Sequence, residues 1–114
     1  MALSSRTDSV ILRPSSDAPI HLDYPTLRKA VLVLRAVNHK SRQSIVQLLE
    51  ENKRLTVTEI YVKLRLEQSV ASQHLAILRR SGVVVTERGG KFIYYSLNHN
   101  RISEIAQLVD DLTK

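Results

Sequence analysis

The spacing of apolar residues changes abruptly at Gly82, and this change limits the fold more than any other feature of the sequence. Before Gly82, four segments carry apolar residues three and four positions apart, as helices with a buried face do. After it, residues 83–87 and 91–97 are β-rich and are joined by Gly89-Gly90, which predicts a β-hairpin. A last helical stripe spans residues 100–112. The sequence therefore predicts a mainly α, α+β domain in the order helix-helix-helix-helix-hairpin-helix.

The composition limits both the core and the chemistry. Apolar residues make up 43% of the 114 residues but aromatic residues only 4%, so the core must be aliphatic. Cysteine is absent, which excludes disulfides, thiolate nucleophiles, cysteine-ligated zinc and thiol redox sensing. Lys and Arg number 17 against 11 acidic residues, a net charge of +6. This balance favours a polyanionic partner, with nucleic acid before an anionic membrane.

Residues 1–23 differ in composition from the rest of the chain. They are rich in Ser, Asp and Pro, with one apolar triplet at residues 10–12, and we expect a flexible N-terminal arm. Residues 24–114 are expected to form a single folded domain. The beginning of the chain lacks the apolar run of a signal peptide, and the apolar run at residues 30–34 is too short to cross a bilayer. We therefore expect a cytoplasmic protein.

The fourth predicted helix, residues 69–82, has two different faces. One face has apolar residues at positions i, i+4 and i+7 and is expected to be buried; we call it the anchoring stripe, and it consists of Ala71, Leu75 and Leu78. The second face, here called the polar face, carries small or amide side chains: Ser69, Ser72, Gln73 and Ala76. An ordinary solvent-exposed face would carry Lys and Glu, so this face is shaped for a specific contact.

The helices before residue 69 have recognisable starts. Asn38 or Ser41 is expected to cap the second helix, residues 41–53. Thr56 and Glu59 have the spacing of a capping box and predict the start of a third helix. A short polar turn, RLEQ, separates this third helix from the fourth. Two helices joined by such a turn predict a helix-turn-helix, whose second helix enters the major groove of DNA.

The residues near the polar face and the hairpin tip are suited to contact DNA. Gln can bond bidentately to adenine, and Ser can donate or accept hydrogen bonds at several bases. Basic residues on either side of Gly89-Gly90 are placed to meet phosphate. The predicted DNA-binding residues are Gln68, Ser69, Ser72, Gln73, His74, Arg79, Arg88 and Lys91.

Each of these assignments has a structural alternative. The polar face could pack on another helix, and the charges at the hairpin tip could be solvated only. His74 could contact a phosphate or pack inside the protein, and Arg79 with Arg80 could complement the dipole at the helix C-terminus. Asp110 and Asp111 are adjacent on a helix and point apart, so they do not form a catalytic pair. We find no catalytic apparatus and predict that the protein is not an enzyme.

The motifs SQHLAILRRSGVV and RGGKFIYYSL, with their flanks from Tyr24 to Leu112, resemble the ArsR/SmtB family of bacterial winged helix-turn-helix repressors. The resemblance implies a winged-helix domain over residues 24–114, with the hairpin as its wing. It also implies a nucleoid-associated homodimer that binds an inverted-repeat operator through its DNA-binding face. The first helix is apolar on more than one side, which agrees with a partner chain covering it. The first and last helices would form the interface, and the predicted residues there are Leu27, Val31, Leu34, Ile105, Val109 and Leu112.

The sequence departs from the family at both of its familiar metal sites. Metal sensors carry ELCVCDL where this chain has RLTVTEI, so Thr56 and Thr58 stand at the two cysteine positions. Threonine is a poor ligand for soft metals. In the last helix the corresponding residues are His99, Arg101 and Leu112, which do not make a ligand set. We therefore expect no metal and no cofactor, and an organic ligand, a partner protein or no effector at all.

The interpretation that follows is a sequence-specific, dimeric DNA-binding regulator, a repressor on an inverted-repeat operator. The alternative is a winged-helix module for protein–protein interaction, in which DNA binding is weak or lost. The two differ in salt dependence, because phosphate contacts make DNA binding strongly sensitive to salt.

Overall fold

A computed structural model describes residues 8–114 of the chain. The described residues divide into two compact units, residues 8–33 and 34–114, with the boundary inside the first helix. The helices and strands, in chain order, are β1 (Ser9–Leu12), β2 (Ile20–Asp23), α1 (Tyr24–Val37), α2 (Lys40–Asn52), β3 (Arg54–Thr56), α3 (Val57–Leu64), α4 (Gln68–Arg80), β4 (Val84–Gly89), β5 (Phe92–Leu97) and α5 (His99–Leu112). The predicted mixed fold with a helix-turn-helix followed by a hairpin is confirmed.

The first unit contains a hairpin that the sequence did not lead us to expect. β1 and β2 pair antiparallel, with Ser9 opposite Asp23 and Leu12 opposite Ile20. The Asp23 carboxylate then caps α1 by accepting hydrogen bonds from the backbone N–H of Thr26, at 3.1 Å, and from the Thr26 hydroxyl. These bonds lower the pKa of Asp23. Residues 1–7 of the predicted arm lie outside the described residues, and the flexibility of residues 1–23 stays a prediction.

The second unit has an aliphatic core, as the low aromatic content requires. Helices α2, α3 and α4 and the three-stranded sheet each contribute buried side chains to it. The core residues are Ile45, Leu49, Leu55, Ile60, Leu75, Leu78, Val83 and Val84. Since these side chains come from consecutive elements on both sides of the helix-turn-helix, the core holds α3 and α4 to the sheet.

Local hydrogen bonds define the two helices of the helix-turn-helix. Thr56 Oγ1 accepts from the backbone N–H of Glu59 at 3.2 Å, and Glu59 Oε1 accepts from the backbone N–H of Thr56 at 2.9 Å. The predicted capping box is therefore confirmed, and the bond from Thr56 lowers the pKa of Glu59. Arg65 ends α3 in the left-handed conformation, with φ 56° and ψ 43°. A turn of residues 65–67 then leads into α4.

The sheet has the strand order β3-β5-β4, all antiparallel. Its hairpin, formed by β4 and β5, closes with Gly89 opposite Phe92. Gly90 takes a positive φ of 64° in this turn, a conformation that glycine adopts without strain. The strand β3 was not predicted, because a three-residue segment before a helix cap is too short to show an alternating pattern. The predicted wing is confirmed, with strand bounds shifted by up to two residues.

The start of α2 differs from the sequence-based expectation. The cap is His39, whose Nδ1 accepts from the backbone N–H of Ser41 at 3.1 Å. The prediction of Asn38 or Ser41 was therefore wrong. Ser, Asp and Asn are the usual caps, so a histidine in this position is easily overlooked in a sequence.

The helix α5 is the least buried helix of the second unit. Within residues 8–114 it is capped by Asn98 and has no fully buried residue, although Ile102 and Ile105 pack against the core. Its C-terminal half exposes Leu108, Val109 and Leu112. None of the helices described here is long and apolar enough to cross a membrane.

The core assignment predicts opposite effects for two neighbouring residues of α3. Ile60 is completely buried and Val62 is 62% exposed. Ile60→Ala leaves a cavity among α2, α4 and the sheet and should lower the free energy of unfolding by about 2–5 kcal/mol. Val62→Ala, the matched control, should change it by less than about 0.5 kcal/mol. Urea denaturation followed by circular dichroism measures both, and equal losses would contradict this assignment of the core.

Candidate nucleic-acid interface

The anchoring stripe fastens α4 to the core. Ala71 and Leu78 are completely buried and Leu75 is 1% exposed. Leu75 and Leu78 belong to the same cluster as Ile45 of α2 and Ile60 of α3. At the C-terminal end, Gly82 has φ +80° and the N–H of Val83 donates to the carbonyl of Leu78 at 3.0 Å. The helix is therefore held along its length, and its opposite side is presented on a rigid support.

The polar face of α4 is exposed to solvent over its whole length. Gln68 precedes it on the first turn, and Arg79 follows it on the last turn; both are exposed too. Among residues 8–114, hydrogen bonds within the protein do not engage the side chains of Gln68, Ser69, Ser72 or Gln73. Their donors and acceptors remain available to an external partner, and their small size lets that partner approach the helix backbone closely.

A depression of about 470 Å³ lies beside the polar face. Its lining combines residues of α4 with one tyrosine of the sheet: Ser72, Leu75, Ala76, Arg79, Arg80 and Tyr95. Two guanidinium groups thus border a concave surface next to the groups that can form hydrogen bonds. Tyr95 was not among the predicted residues, because a tyrosine within a β-rich run is expected to belong to the sheet rather than to a surface shared with a helix.

The tip of the wing carries positive charge. Arg88 and Lys91 are exposed on either side of Gly89-Gly90. Arg88 Nε lies 3.4 Å from the carbonyl oxygen of Gly90, and Lys91 Nζ lies 5.4 Å from the centre of the Phe92 ring. Neither cation has a carboxylate partner among the ion pairs of residues 8–114. The charges at the tip are therefore free to meet phosphate.

Arg54 is a further basic residue at the wing and was not among the residues predicted from the sequence. Its Nη1 lies 3.3 Å from Glu87 Oε1, and its guanidinium carbon lies 4.1 Å from the centre of the Tyr94 ring. The ion pair is too exposed to stabilise the fold appreciably, but it does neutralise the acidic group nearest to the wing tip. Only the pairing of β3 with β5 brings Arg54 to this place.

His74 differs from the other predicted DNA-binding residues, because it is half-buried and its ring contacts other residues of the protein. Its Nδ1 lies 3.3 Å from Arg42 Nη1, and its ring centre lies 4.8 Å from that of His39. Burial lowers the pKa of His74, and the charges of His39 and Arg42 lower it further. These contacts fit the alternative in which His74 packs against other residues of the protein. A contact between His74 and DNA stays a prediction.

The residues predicted for a dimer interface are exposed or half-buried. On α1, Leu27 is exposed, while Val31 and Leu34 are half-buried. On α5, Ile105 is half-buried, Val109 is 45% exposed and Leu112 is 70% exposed. Apolar side chains are less favourable in contact with water than charged or polar ones. Exposed apolar side chains along both helices are therefore consistent with a partner chain that covers them.

The positions of the familiar metal sites hold other interactions. Thr56 caps α3 with its hydroxyl, and His99 Nε2 lies 2.7 Å from Glu50 Oε1. Within residues 8–114, no group of three or more His, Asp or Glu side chains is arranged to hold a metal ion.

Comparisons with known proteins agree with this geometry. The family described as bacterial regulatory protein, arsR family, matches residues 39–86, from the cap of α2 into β4. The chain is 37% identical over 84 residues to the transcriptional activator HlyU of Vibrio cholerae, covering 74% of this chain and 77% of HlyU. It is 35% identical over 91 residues to the transcriptional repressor PagR of Bacillus anthracis, covering 80% of this chain and 91% of PagR.

The likeness extends to three dimensions. The crystal structure of PagR superposes with a TM-score of 0.62 at 37% identity, covering 76% of this chain and 99% of PagR. These relatives regulate transcription and are not enzymes. The chain belongs to the ArsR family of bacterial regulatory proteins and is a winged-helix, DNA-binding transcriptional regulator.

Proposed function

We propose that this regulator is a homodimeric repressor that recognises an inverted-repeat operator with α4 and the wing, in the cytoplasm and on the nucleoid. The observation that carries the proposal is the polar face of α4. It is exposed and free of hydrogen bonds to described residues, and the fully buried anchoring stripe supports it from behind. Side chains of this kind, on a helix of this kind, suit direct contacts to base edges in the major groove.

The wing supplies contacts that do not depend on sequence. Arg88 and Lys91 would meet the phosphate backbone, since both are exposed at a narrow turn. Arg79 and Arg80 border the depression beside the polar face and would add positive charge near the same duplex. Phosphate contacts orient a protein on DNA, whereas base contacts determine its preferred sequence.

A dimer would explain the apolar residues that α1 and α5 leave exposed. Two-fold symmetry places one α4 on each half of an inverted repeat, with the two helices about 34–36 Å apart. Repression rather than activation is the direction we propose. PagR supports it as a repressor, while HlyU, an activator, shows that relatives differ in this respect.

We further propose that the regulator works without the metal sites of the family. Thr56 and Thr58 supply no thiolate, and the Thr56 hydroxyl is occupied by the capping box. A structural zinc site needs about four converging nitrogen, oxygen or sulfur ligands. The remaining alternatives are an organic ligand, a partner protein or no effector at all.

The experiment that tests the proposal is selection of binding sites from random duplexes, followed by footprinting of the selected site and of the DNA that flanks the gene. We expect one inverted repeat in both. If the protein selects no sequence, or if it binds all duplexes equally and its affinity does not change with salt concentration, the module for protein–protein interaction fits instead.

The polar face leads to a prediction about base recognition. Gln73→Ala should weaken binding to the selected operator by about 1–3 kcal/mol and relax the preference at one base position. Gln47→Ala is the matched control, because Gln47 is exposed on α2 and should leave binding unchanged. Competition with single-base variants of the operator measures the effect. Equal weakening on operator and random DNA would assign Gln73 to the phosphate backbone instead.

The wing leads to a prediction about salt. Arg88→Ala and Lys91→Ala should each weaken binding to all sequences alike and reduce the salt slope by about one. Lys114→Ala removes the same charge from the end of the chain, where Lys114 pairs with Asp110, and should not alter the slope. Fluorescence anisotropy at several salt concentrations gives the slopes. If both wing variants keep the wild-type slope, the wing does not touch DNA.

The exposed face of α5 leads to a prediction about assembly. Val109→Glu should dissociate the dimer and leave each chain folded. Val109 is 45% exposed within one chain, so a folded chain tolerates glutamate at this position. In the interface, the glutamate would be a buried and unpaired charge. Val85→Glu is the control, since Val85 is 43% exposed on β4. Sedimentation and circular dichroism report assembly and folding. A Val109→Glu protein that remains dimeric would place the interface elsewhere.

A further inference from the structure

Arg42 of α2 is bonded to the last turn of α1. Its Nε donates to the carbonyl of Ala36 at 2.6 Å, and its Nη2 donates to the carbonyl of Arg35 at 3.1 Å. The last carbonyl groups of a helix lack partners within the helix and need donors from elsewhere. One guanidinium group satisfies two of them, so it is held in one orientation at this helix end.

The same guanidinium group also reaches α4. Arg42 Nη1 lies 3.3 Å from His74 Nδ1. Arginine can only donate, so Nδ1 of His74 must accept, which places the proton of the neutral ring on Nε2. A protonated His74 would present a donor to a donor and add a second positive charge beside Arg42.

His39 completes the surroundings of His74. The two rings lie 4.8 Å apart, and Nδ1 of His39 accepts from the backbone N–H of Ser41. The groups whose charges act on His74 are His39, at the start of α2, and Arg42, on the same helix. Their charges disfavour a protonated His74.

We propose that Arg42 and His74 form a clamp that joins α4 to the end of α1 and sets the orientation of the polar face, so that operator recognition requires His74 to be neutral. The clamp is defined by Arg42, His74 and the carbonyl groups of Arg35 and Ala36. Arg42 is a positioning residue in this arrangement, because it acts through α4. The inference rests on the proposed function, in which α4 recognises bases.

The position of the clamp explains why it would affect recognition. His74 follows Gln73 directly and precedes Leu75 of the anchoring stripe. The anchoring stripe fixes the distance between α4 and the core, but aliphatic contacts are not directional. A hydrogen bond to a charged donor is directional, so the clamp would restrict rotation of α4 about its axis. Leu34, in the last turns of α1, brings the predicted dimer interface close to the same carbonyl groups.

Acid should open the clamp. The pKa of His74 is lowered first by burial and then by the charges of His39 and Arg42, so the ring is neutral at neutral pH. The unfolded chain takes up a proton at the ordinary histidine pKa, before the folded chain does. The stabilisation from the clamp is therefore complete above that ordinary value and is lost as the pH falls through the lowered pKa of His74.

The first arm of the test concerns the clamp itself and needs no DNA. Nitrogen-15 NMR of the imidazole rings in the full chain should show His74 as the Nε2–H tautomer, with a pKa below that of an ordinary histidine. Arg42→Gln should raise this pKa, because it removes a neighbouring cation. Arg35→Gln is the control: it removes a charge from an exposed side chain outside the clamp and should leave the titration of His74 unchanged. An Nδ1–H tautomer, or a titration insensitive to Arg42→Gln, would overturn the proposal.

The second arm measures the ratio of affinities for the selected operator and for random DNA at constant salt. Arg42→Gln should lower this ratio about tenfold, as expected for loss of one hydrogen bond to a charged group, while Arg35→Gln should not. Arg42→Lys keeps the charge, but its three donors lie on one nitrogen and cannot span the three acceptors that Nε, Nη1 and Nη2 of Arg42 reach, so it should lower the ratio as well. If Arg42→Gln does not fold, Arg42→Lys and the pH profile of the wild-type protein decide the question.

The pH profile supplies a readout that a merely structural role would not change. The wild-type ratio should stay constant above the ordinary histidine pKa of about 6.5 and fall only at lower pH, through the lowered pKa of His74. His74→Asn offers an amide oxygen in place of Nδ1 and cannot be protonated, so its ratio should no longer depend on pH. A wild-type profile that is flat, or that His74→Asn leaves unchanged, would refute the clamp. If no operator is selected, the proposed function fails, and the NMR arm still decides whether the clamp exists.

Discussion

Burial of the anchoring stripe is the interaction on which the other features of this regulator depend. Ala71, Leu75 and Leu78 are in effect removed from water, and each of the two leucine side chains contributes about 1.5–3 kcal/mol by its burial. The stripe gives α4 one face that cannot leave the core. The opposite face can then carry small polar groups that form no stabilising contacts within the chain, because burial of the anchoring stripe already holds α4 to the core. Recognition of DNA requires such a division of one helix into two faces.

Polar contacts determine how the helices meet, and they lie at helix ends. The capping box of Thr56 and Glu59 starts α3, Arg65 ends it in a left-handed conformation, and Arg42 bonds to the last carbonyl groups of α1. Aliphatic packing brings the helices together but tolerates small rotations. Directional hydrogen bonds at the ends reduce that freedom. A helix that must match the spacing of base edges benefits from both, and the structure supplies both within residues 34–114.

The exposure of side chains on α4 could be predicted because a local pattern determines it. The spacing of Ser69, Ser72 and Gln73 against Leu75 and Leu78 determines which face of α4 is exposed, and the structure confirms that exposure. His74 lies between these two faces, so its spacing was compatible with DNA and with the interior alike. Its neighbours, His39 and Arg42, are more than thirty positions away in sequence. No local pattern indicates which of two outcomes such a residue takes. The same limit applies to Arg54, which reaches the wing only through strand pairing.

The sequence by itself determined the order and type of the main elements, the aliphatic core, the capping box and the exposed polar face of α4. These features depend on periodicity, on composition or on residues three to four positions apart, and such information is local. The tertiary structure alone decided that β3 joins the sheet, that Arg54 pairs with Glu87, that His39 caps α2, and that Arg42 bonds to α1 and α4 together. These contacts join residues distant in the chain or use an atypical residue in a common role. Their existence depends on distances of a few ångströms that only the packed helices and strands establish.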